Sequence, residues 1–460
     1  MPLGQGSGSQ HDPPGAGFGY MFGPAERQID DSAIDALGEL MEGRKDESTE
    51  NTWIAAGYTY LGQFVDHDIT FDATSHRKPA DDPRHLVNFR TPRLDLDSLY
   101  GSGPVVHPFL YDWEHPKSPG ARLLVGHNAK GGNHDLPRNL PGRALIGDAR
   151  NDENVIVAQI HLLFILFHNA VLDGLSGAPE HWEDRFEEAR RIVRWHYQWL
   201  VVHDFLPKIL GDSQTASTAG SGELPEFHPS WRGPDRGEPF IPVEFSAAAF
   251  RFGHTMVRRE YALQRRPGPQ EAPPKPLFPD LGRLGPLPPE LVIDWERFFK
   301  FDQLGYARQP QNSLQMDTAL VSPLLNLPDL GGSLARRNLR RAQRLRVPSG
   351  QEVAEKLKLE SLDPTQLMLD DGLSKPVRET LLEATPLWYY ILCEARMTGG
   401  ERGKHLGPVG GRIVSEVILD LLARDPTSYV FKEPDWKPDL VPGQDFKMTD
   451  LIGFVKGPIV

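Results

Sequence analysis

Cysteine is almost absent from the sequence: among 460 residues only Cys393 carries a thiol, which excludes an internal disulfide framework and any CxxC metal site. The fold must hold by packing, with a metal or cofactor as the remaining aid. Basic charge is also in deficit, since 50 Lys and Arg face 63 Asp and Glu for a net charge of -13. That sign excludes a polyanion such as nucleic acid as the main partner. No apolar run reaches the roughly 20 residues a membrane span needs; the longest, 155–167, is interrupted by Gln159 and His161 and reads as a buried helix, so no transmembrane segment is expected. A charged and then apolar leader is missing as well, because residues 1–19 are rich in Gly, Pro and Ser. This predicts a cytoplasmic protein, with leaderless secretion as the alternative. Strand-like alternation is scarce and no repeat of fixed period occurs, so the expected architecture is mainly α with little β.

What the chain does have is apolar material, 39% of residues, enough for a sizeable core. Residues 1–50 read as an N-terminal arm with a short helix at 31–42, and 51–460 as one large helical domain. Helices are expected at 53–71, 155–175, 179–210, 245–263, 295–305, 333–346, 374–397 and 410–424. Between them lie a surface excursion at 102–147, a polar linker at 211–237 and a proline-rich loop at 264–290.

The densest chemistry is in 62–70, Gly-Gln-Phe-Val-Asp-His-Asp-Ile-Thr. On a helix Gln63 and His67 share a face, while Asp66 and Asp68 point about 100° to either side, so one segment addresses two sites. The residues alone fit equally a capped helix with a core histidine. Downstream, Thr91, Asp95 and Asp97 alternate along a loop; with Asp68 they offer oxygens to a hard cation such as calcium, or form a polar turn. Arg150 and Glu153 lie one turn apart before the apolar helix, and Gly253 beside His254 removes a side chain where something flat could approach. Segment 334–346 carries six arginines, a basic face suited to the protein's own acidic surplus. His161, His168, His196 and His203 fall in the long helices and read as core or surface histidines.

Taken in order, Gly-Gln-Phe-Val-Asp-His-Asp, Gly-Asp-Ala-Arg-Asn-Asp-Glu-Asn, Phe-Arg-Phe-Gly-His-Thr, Leu-Ala-Arg-Arg-Asn-Leu-Arg-Arg and the Leu406-Gly407-Pro408 turn resemble the animal-type haem peroxidases of the peroxidase–cyclooxygenase superfamily, over roughly residues 55–425. The resemblance implies a single helical domain holding haem b between a distal and a proximal helix. It makes His254 the axial iron ligand, Asn338 the partner of that ring's other nitrogen, and Arg341 the partner of a haem propionate. On the distal side it makes His67 the proton acceptor, Arg150 the group that polarises the O–O bond, and Gln63 the group that orients a water or halide. Asp66 and Glu153 match two carboxylates that form ester links to haem, whereas Asn154 stands where mammalian members have methionine, so no third link is expected. Asp68, Thr91, Arg93 through its carbonyl, Asp95 and Asp97 match a calcium site that braces the distal helix.

The activity so implied is reduction of hydrogen peroxide, with oxidation of small anions (halide, thiocyanate) or phenolic donors through a ferryl intermediate, an oxidoreductase suited to the response to oxidative stress. One departure is Gln343-Arg344, where the family continues with an Arg-Asp pair. Two other functions are weighed against this one. A fatty-acid dioxygenase forming oxylipins needs a tyrosine three residues before the proximal histidine, where this chain has Arg251. A non-catalytic haem and calcium-binding protein would not require both His67 and Arg150.

Overall fold

The computed structural model describes residues 17–72, 83, 86–128, 134–175, 181–211, 239–265, 272–302, 309–328, 331–369, 372–397, 402–441 and 445–456. Helices dominate, and the sheets among the described residues are two-stranded. The polar linker expected at 211–237 lies almost wholly outside the described residues, as does part of the proline-rich loop.

The helix Val155–Gly174 is apolar on every side and buried on nearly every side, as expected for a helix packed inside a large core. Asn154 starts it, its side chain accepting from the Ile156 N–H. By length and composition it could cross a membrane, yet 89% of its most apolar window is buried inside the protein. It packs against the helices Ala56–Ile69, Trp182–Leu200 and Met448–Lys456.

Ala56–Ile69 is the helix that carries Gln63, Asp66, His67 and Asp68. Its Phe64 stacks on Phe164 at 5.0 Å and meets Tyr197 edge-on at 6.1 Å, which clamps the helix between two long neighbours. At its start Gly57 is obligatory, since a Cβ there would lie 2.5 Å from the Phe299 ring and 2.6 Å from the Phe298 carbonyl oxygen. The expected start at 53 is too early: Glu50–Ala55 is a strand paired with Asn312–Leu314, and Trp53 belongs to it.

Two other expected helices are broken. Across 245–263 the chain makes a short helix Val243–Ser246, a 3₁₀ stretch Ala249–Met256 and a strand Glu260–Tyr261 paired with Lys275–Pro276. Ala248, at φ −136° and ψ −75°, leaves the helical path between the first two. The span 374–397 divides into Lys375–Glu383 and Leu387–Met397 around Pro386, whose ring cannot continue a helix. Of 295–305 only Trp295–Arg297 is helical among the described residues, as a 3₁₀ turn. The long helix expected at 179–210 is Trp182–Leu200, continuing through a π-helical turn Val201–Phe205 to residue 211.

The arm wraps the domain. Its helix Asp31–Gly43 lies along the arginine-rich helix Leu334–Arg344, so close at Gly38 that a Cβ would sit 2.7 Å from Arg336 Cγ. Arg336 binds Glu42 at 2.7 Å, and Arg340 binds Asp35 at 2.7 Å. The basic face thus meets the chain's own acidic groups. Upstream, buried Glu244 accepts the Met21 and Phe22 N–H groups, each at 2.9 Å, beside a parallel pairing of Phe18–Gly19 with Ile241–Pro242.

Candidate functional site

A cavity of about 620 Å³ opens where the helix Ala56–Ile69, the turn before Val155 and the 3₁₀ stretch Ala249–Met256 converge. Gln63, Asp66, His67, Glu153, Asn154, Arg251, Gly253 and His254 all line it, with apolar walls from residues such as Phe250, Phe252, Leu277 and Leu327. Side chains 67 and 254, far apart in sequence, therefore face one space. A Cβ built on Gly253 would meet nothing within 4 Å, so the cavity wall is bare there.

Near His254, the carboxamide nitrogen of Asn338 lies 2.9 Å from Nδ1, and the carboxamide oxygen accepts from Arg251 Nη1 at 2.6 Å. Arg251 also donates from Nε to the Ser246 carbonyl at 2.9 Å. The ring is thus held through its Nδ1 edge by a buried two-residue clamp. Burial, and then the Arg251 charge, pushes the His254 imidazole down to about 3, which keeps it neutral; with the Asn338 nitrogen donating to Nδ1, the proton of that ring sits on Nε2.

At His67 a second chain of hydrogen bonds runs away from the cavity. His67 Nδ1 lies 2.8 Å from Asn151 Oδ1, and Asn151 Nδ2 lies 3.0 Å from His161 Nδ1. With the amide oxygen toward His67, the proton of that ring sits on Nδ1 and the lone pair on Nε2. Burial, and then the charge of Arg150, lowers the His67 pKa to about 4. A neutral imidazole with a fixed tautomer is what a proton acceptor at neutral pH requires. Asn151→Ala removes the acceptor and frees the ring; any reaction that uses His67 as its proton acceptor is expected to slow by about 10-fold or more, as for lost supports of functional histidines. Stopped-flow rates equal to wild type would show that Asn151 does not orient His67.

Arg150 stands elsewhere than its expected role requires. Its guanidinium is not on the cavity wall; it binds Asp148 at 2.7 Å and caps the end of the His67 helix through the Thr70 carbonyl at 2.6 Å and the His67 carbonyl at 3.0 Å. Phe71 lies beneath it at 4.4 Å. In this arrangement Arg150 acts on His67 by charge and by fixing the helix end. Arg341 is likewise not part of the wall; it forms an ion pair with Asp72 at 2.9 Å.

Asp68 points to the other side of the helix. One carboxylate oxygen each from Asp68, Asp95 and Asp97 lie within 4.8 Å of one another. Thr91 Oγ1 donates to Asp95 at 2.9 Å, its N–H donates to Asp97 at 3.0 Å, and Asp68 accepts from the Leu96 N–H and Ser98 Oγ at 3.1 and 3.0 Å. Between the two loop aspartates Leu96 adopts the left-handed conformation at φ 60° while fully buried, a strained geometry that this carboxylate cluster over-determines. Burial, then mutual charge, raises Asp68 well above the carboxylate range and Asp95 to about 7. Such a donor set fits a hard divalent cation, with Thr91 and Arg93 on the same loop.

Asn151 and His161 were not separated in the sequence from the motif and the core helix that contain them; the spacing of ten residues has no signature of its own. Arg251 was legible only as a missing tyrosine.

Compared with known proteins, residues 73–280 match the animal haem peroxidase family. Mouse thyroid peroxidase is 30% identical over 192 residues, which is 39% of this chain and 20% of that protein; the chain thus spans about a fifth of that relative's length. Among solved structures, peroxidase A from Dictyostelium discoideum superposes with a TM-score of 0.60 at 17% identity, covering 92% of this chain and 91% of that one. A fatty acid alpha-dioxygenase from Arabidopsis thaliana gives 0.60 at 14% identity, with 93% and 74% covered. These likenesses share a fold, and the family match covers the segments carrying Arg150, Glu153 and His254. The sequence match to the animal haem peroxidase family thus spans residues 73–280, just under half of the chain, and the fold over most of the chain is shared with peroxidase A and the dioxygenase.

Proposed function

We propose that this chain is a haem peroxidase that reduces hydrogen peroxide and oxidises a small anion, halide or thiocyanate, or a phenolic donor. One observation carries the reading: His67, held as a neutral proton acceptor, lines the same cavity as His254, which is clamped through Nδ1. Haem, when bound, supplies the redox-active iron that accepts the oxidising equivalents of peroxide.

The chain's own residues do the rest. His254 would hold the iron, with Asn338 and Arg251 fixing the ring through its Nδ1 edge. His67 takes a proton from peroxide at Nε2 and returns it to the departing oxygen, a contribution on the order of 10²–10⁴-fold for such a group. Gln63, one turn earlier on the same face, orients the small polar ligand. Asp66 and Glu153 both reach the cavity and are the candidates for ester links to the haem. Asp68, Asp95 and Asp97 would hold calcium, which would brace the helix from behind.

A lipid dioxygenase is the weaker reading despite the shared fold. Position 251 is a guanidinium committed to Asn338 and Ser246, and no phenol stands there to start a radical on a fatty acid. The deciding experiment is the absorption spectrum of the haem-reconstituted protein before and after peroxide, followed by acid-butanone extraction. A Soret band that shifts with peroxide and returns on adding a phenol or iodide is expected. Failure to retain haem would leave only a non-catalytic binding protein, and peroxide-free oxygen uptake with linoleate would favour the dioxygenase. Haem that resists extraction after turnover would implicate Asp66 and Glu153.

A further inference from the structure

We propose that Tyr58 is a redox-active tyrosine of this chain, oxidised from within the cavity while Asp204 takes its proton. The inference rests on the peroxidase reading and adds a catalytic residue to it. Tyr58 lies at the start of the helix that carries Gln63 and His67, lines the same cavity, and is 8% exposed. Its hydroxyl donates to Asp204 Oδ1 at 2.7 Å. The other carboxylate oxygen accepts the Met448 N–H at 2.9 Å, so Asp204 is arranged as an acceptor at both oxygens. Asp204 itself sits in the π-helical turn Val201–Phe205 and is 4% exposed; such turns recur at functional sites.

The plain alternative is a structural stitch, a buried phenol–carboxylate bond tying the helix to the C-terminal segment. Two features go beyond a stitch. The ring is on the cavity wall rather than behind it. Moreover, a phenol loses an electron readily only when its proton leaves with it, and a carboxylate in a short, charge-assisted hydrogen bond is the group that permits this. The other tyrosine on the wall, Tyr60, lies against Tyr261 at a ring distance of 5.4 Å and has no carboxylate partner among the described residues. Tyr58 is therefore the cavity phenol equipped for proton-coupled oxidation.

The step balances as follows. Peroxide leaves the haem protein short of two electrons. One is replaced from Tyr58: the electron passes to the oxidised haem, the O–H bond breaks, the proton moves to Asp204 Oδ1, and a neutral phenoxyl radical remains. A phenolic donor in the cavity then gives an electron to the radical, Asp204 returns its proton to the Tyr58 oxygen, and the donor's own proton goes to solvent. Phenols thus need only reach Tyr58.

The test uses the haem-loaded protein mixed with one equivalent of peroxide and frozen within seconds, with the Soret band and the free-radical region of the electron paramagnetic resonance spectrum read on the same samples. Wild type should give a tyrosyl signal that narrows when ring-deuterated tyrosine is incorporated. Tyr58→Phe, which removes a single oxygen, should abolish it; Asp204→Asn should lower it several-fold; Tyr60→Phe should leave it. A shifted Soret band with no tyrosyl signal in wild type, or with the signal intact in Tyr58→Phe, overturns the proposal alone. A Soret band indifferent to peroxide overturns the peroxidase reading and this proposal with it.

Discussion

His254→Ala is expected to leave a folded protein that no longer holds haem stably. The substitution removes a side chain from a cavity wall, where the space is already open beside Gly253, so the packed core is spared. What goes is the imidazole of this wall that Asn338 and Arg251 clamp through Nδ1, beside the bare surface at Gly253. Loss of a supporting partner such as Asn338 typically weakens metal binding on the order of 10–100-fold; loss of the ligand itself must cost more. Gel filtration after reconstitution should strip haem from the variant and not from wild type, while circular dichroism stays unchanged. Imidazole supplied in the buffer should restore part of the Soret band by filling the vacated place. Haem retained by the variant with an unchanged spectrum would remove His254 from the iron.

The contrast between His254 and Arg150 shows what a linear sequence can convey. The pairing of His254 with Asn338 was expected from the resemblance, and the fold brings the two side chains within hydrogen-bond distance. The cluster of Asp68 with Asp95 and Asp97 was legible from the residues, since alternation in a loop has a geometric consequence. Arg150 carries the right residue type at the right place in its motif. Yet its side chain is long and is offered competing partners, namely Asp148 two residues before it and the open carbonyls at the end of the His67 helix. Which of these a guanidinium takes is decided by tertiary geometry.

The fold follows a similar division. Long apolar periodicity marked the central helix, and the arginine-rich segment was read as meeting acidic groups, which it does on the arm helix. Helix breaks at Ala248 and Pro386 were harder. The apolar spacing of 245–263 suits a helix, but the chain there must turn to place Arg251 against Ser246 and to pair Glu260–Tyr261 as a strand. Tertiary partners override local periodicity there, whereas at Pro386 the ring itself ends the helix. The link of Tyr58 to Asp204 joins residues 146 positions apart, and nothing local announces it.

Calcium removal is the second large effect expected. Three carboxylates meet behind the His67 helix, and burial together with mutual charge raises Asp68 and Asp95, so without a cation the cluster must bind protons or repel itself. A cation held there stabilises the native state by mass action, about 4 kcal/mol when its free concentration is 1,000 times its dissociation constant. Chelation should therefore lower the melting temperature by several degrees, and added calcium should restore it. The effect should also reach the cavity. Asp68 follows His67 directly and is tied to the loop through the Leu96 N–H and Ser98 Oγ, so loosening the loop frees the end of the helix that orients His67. Asp68→Ala should reproduce both changes and no longer respond to chelator or calcium. Asp66→Asn, one residue before His67 and on the cavity side, should keep the full calcium response while altering any covalent haem link. Were wild type to melt at the same temperature with and without chelator, the three aspartates would have to share protons rather than a metal, and the helix would owe its position to packing around Phe64 and to the Arg150 cap.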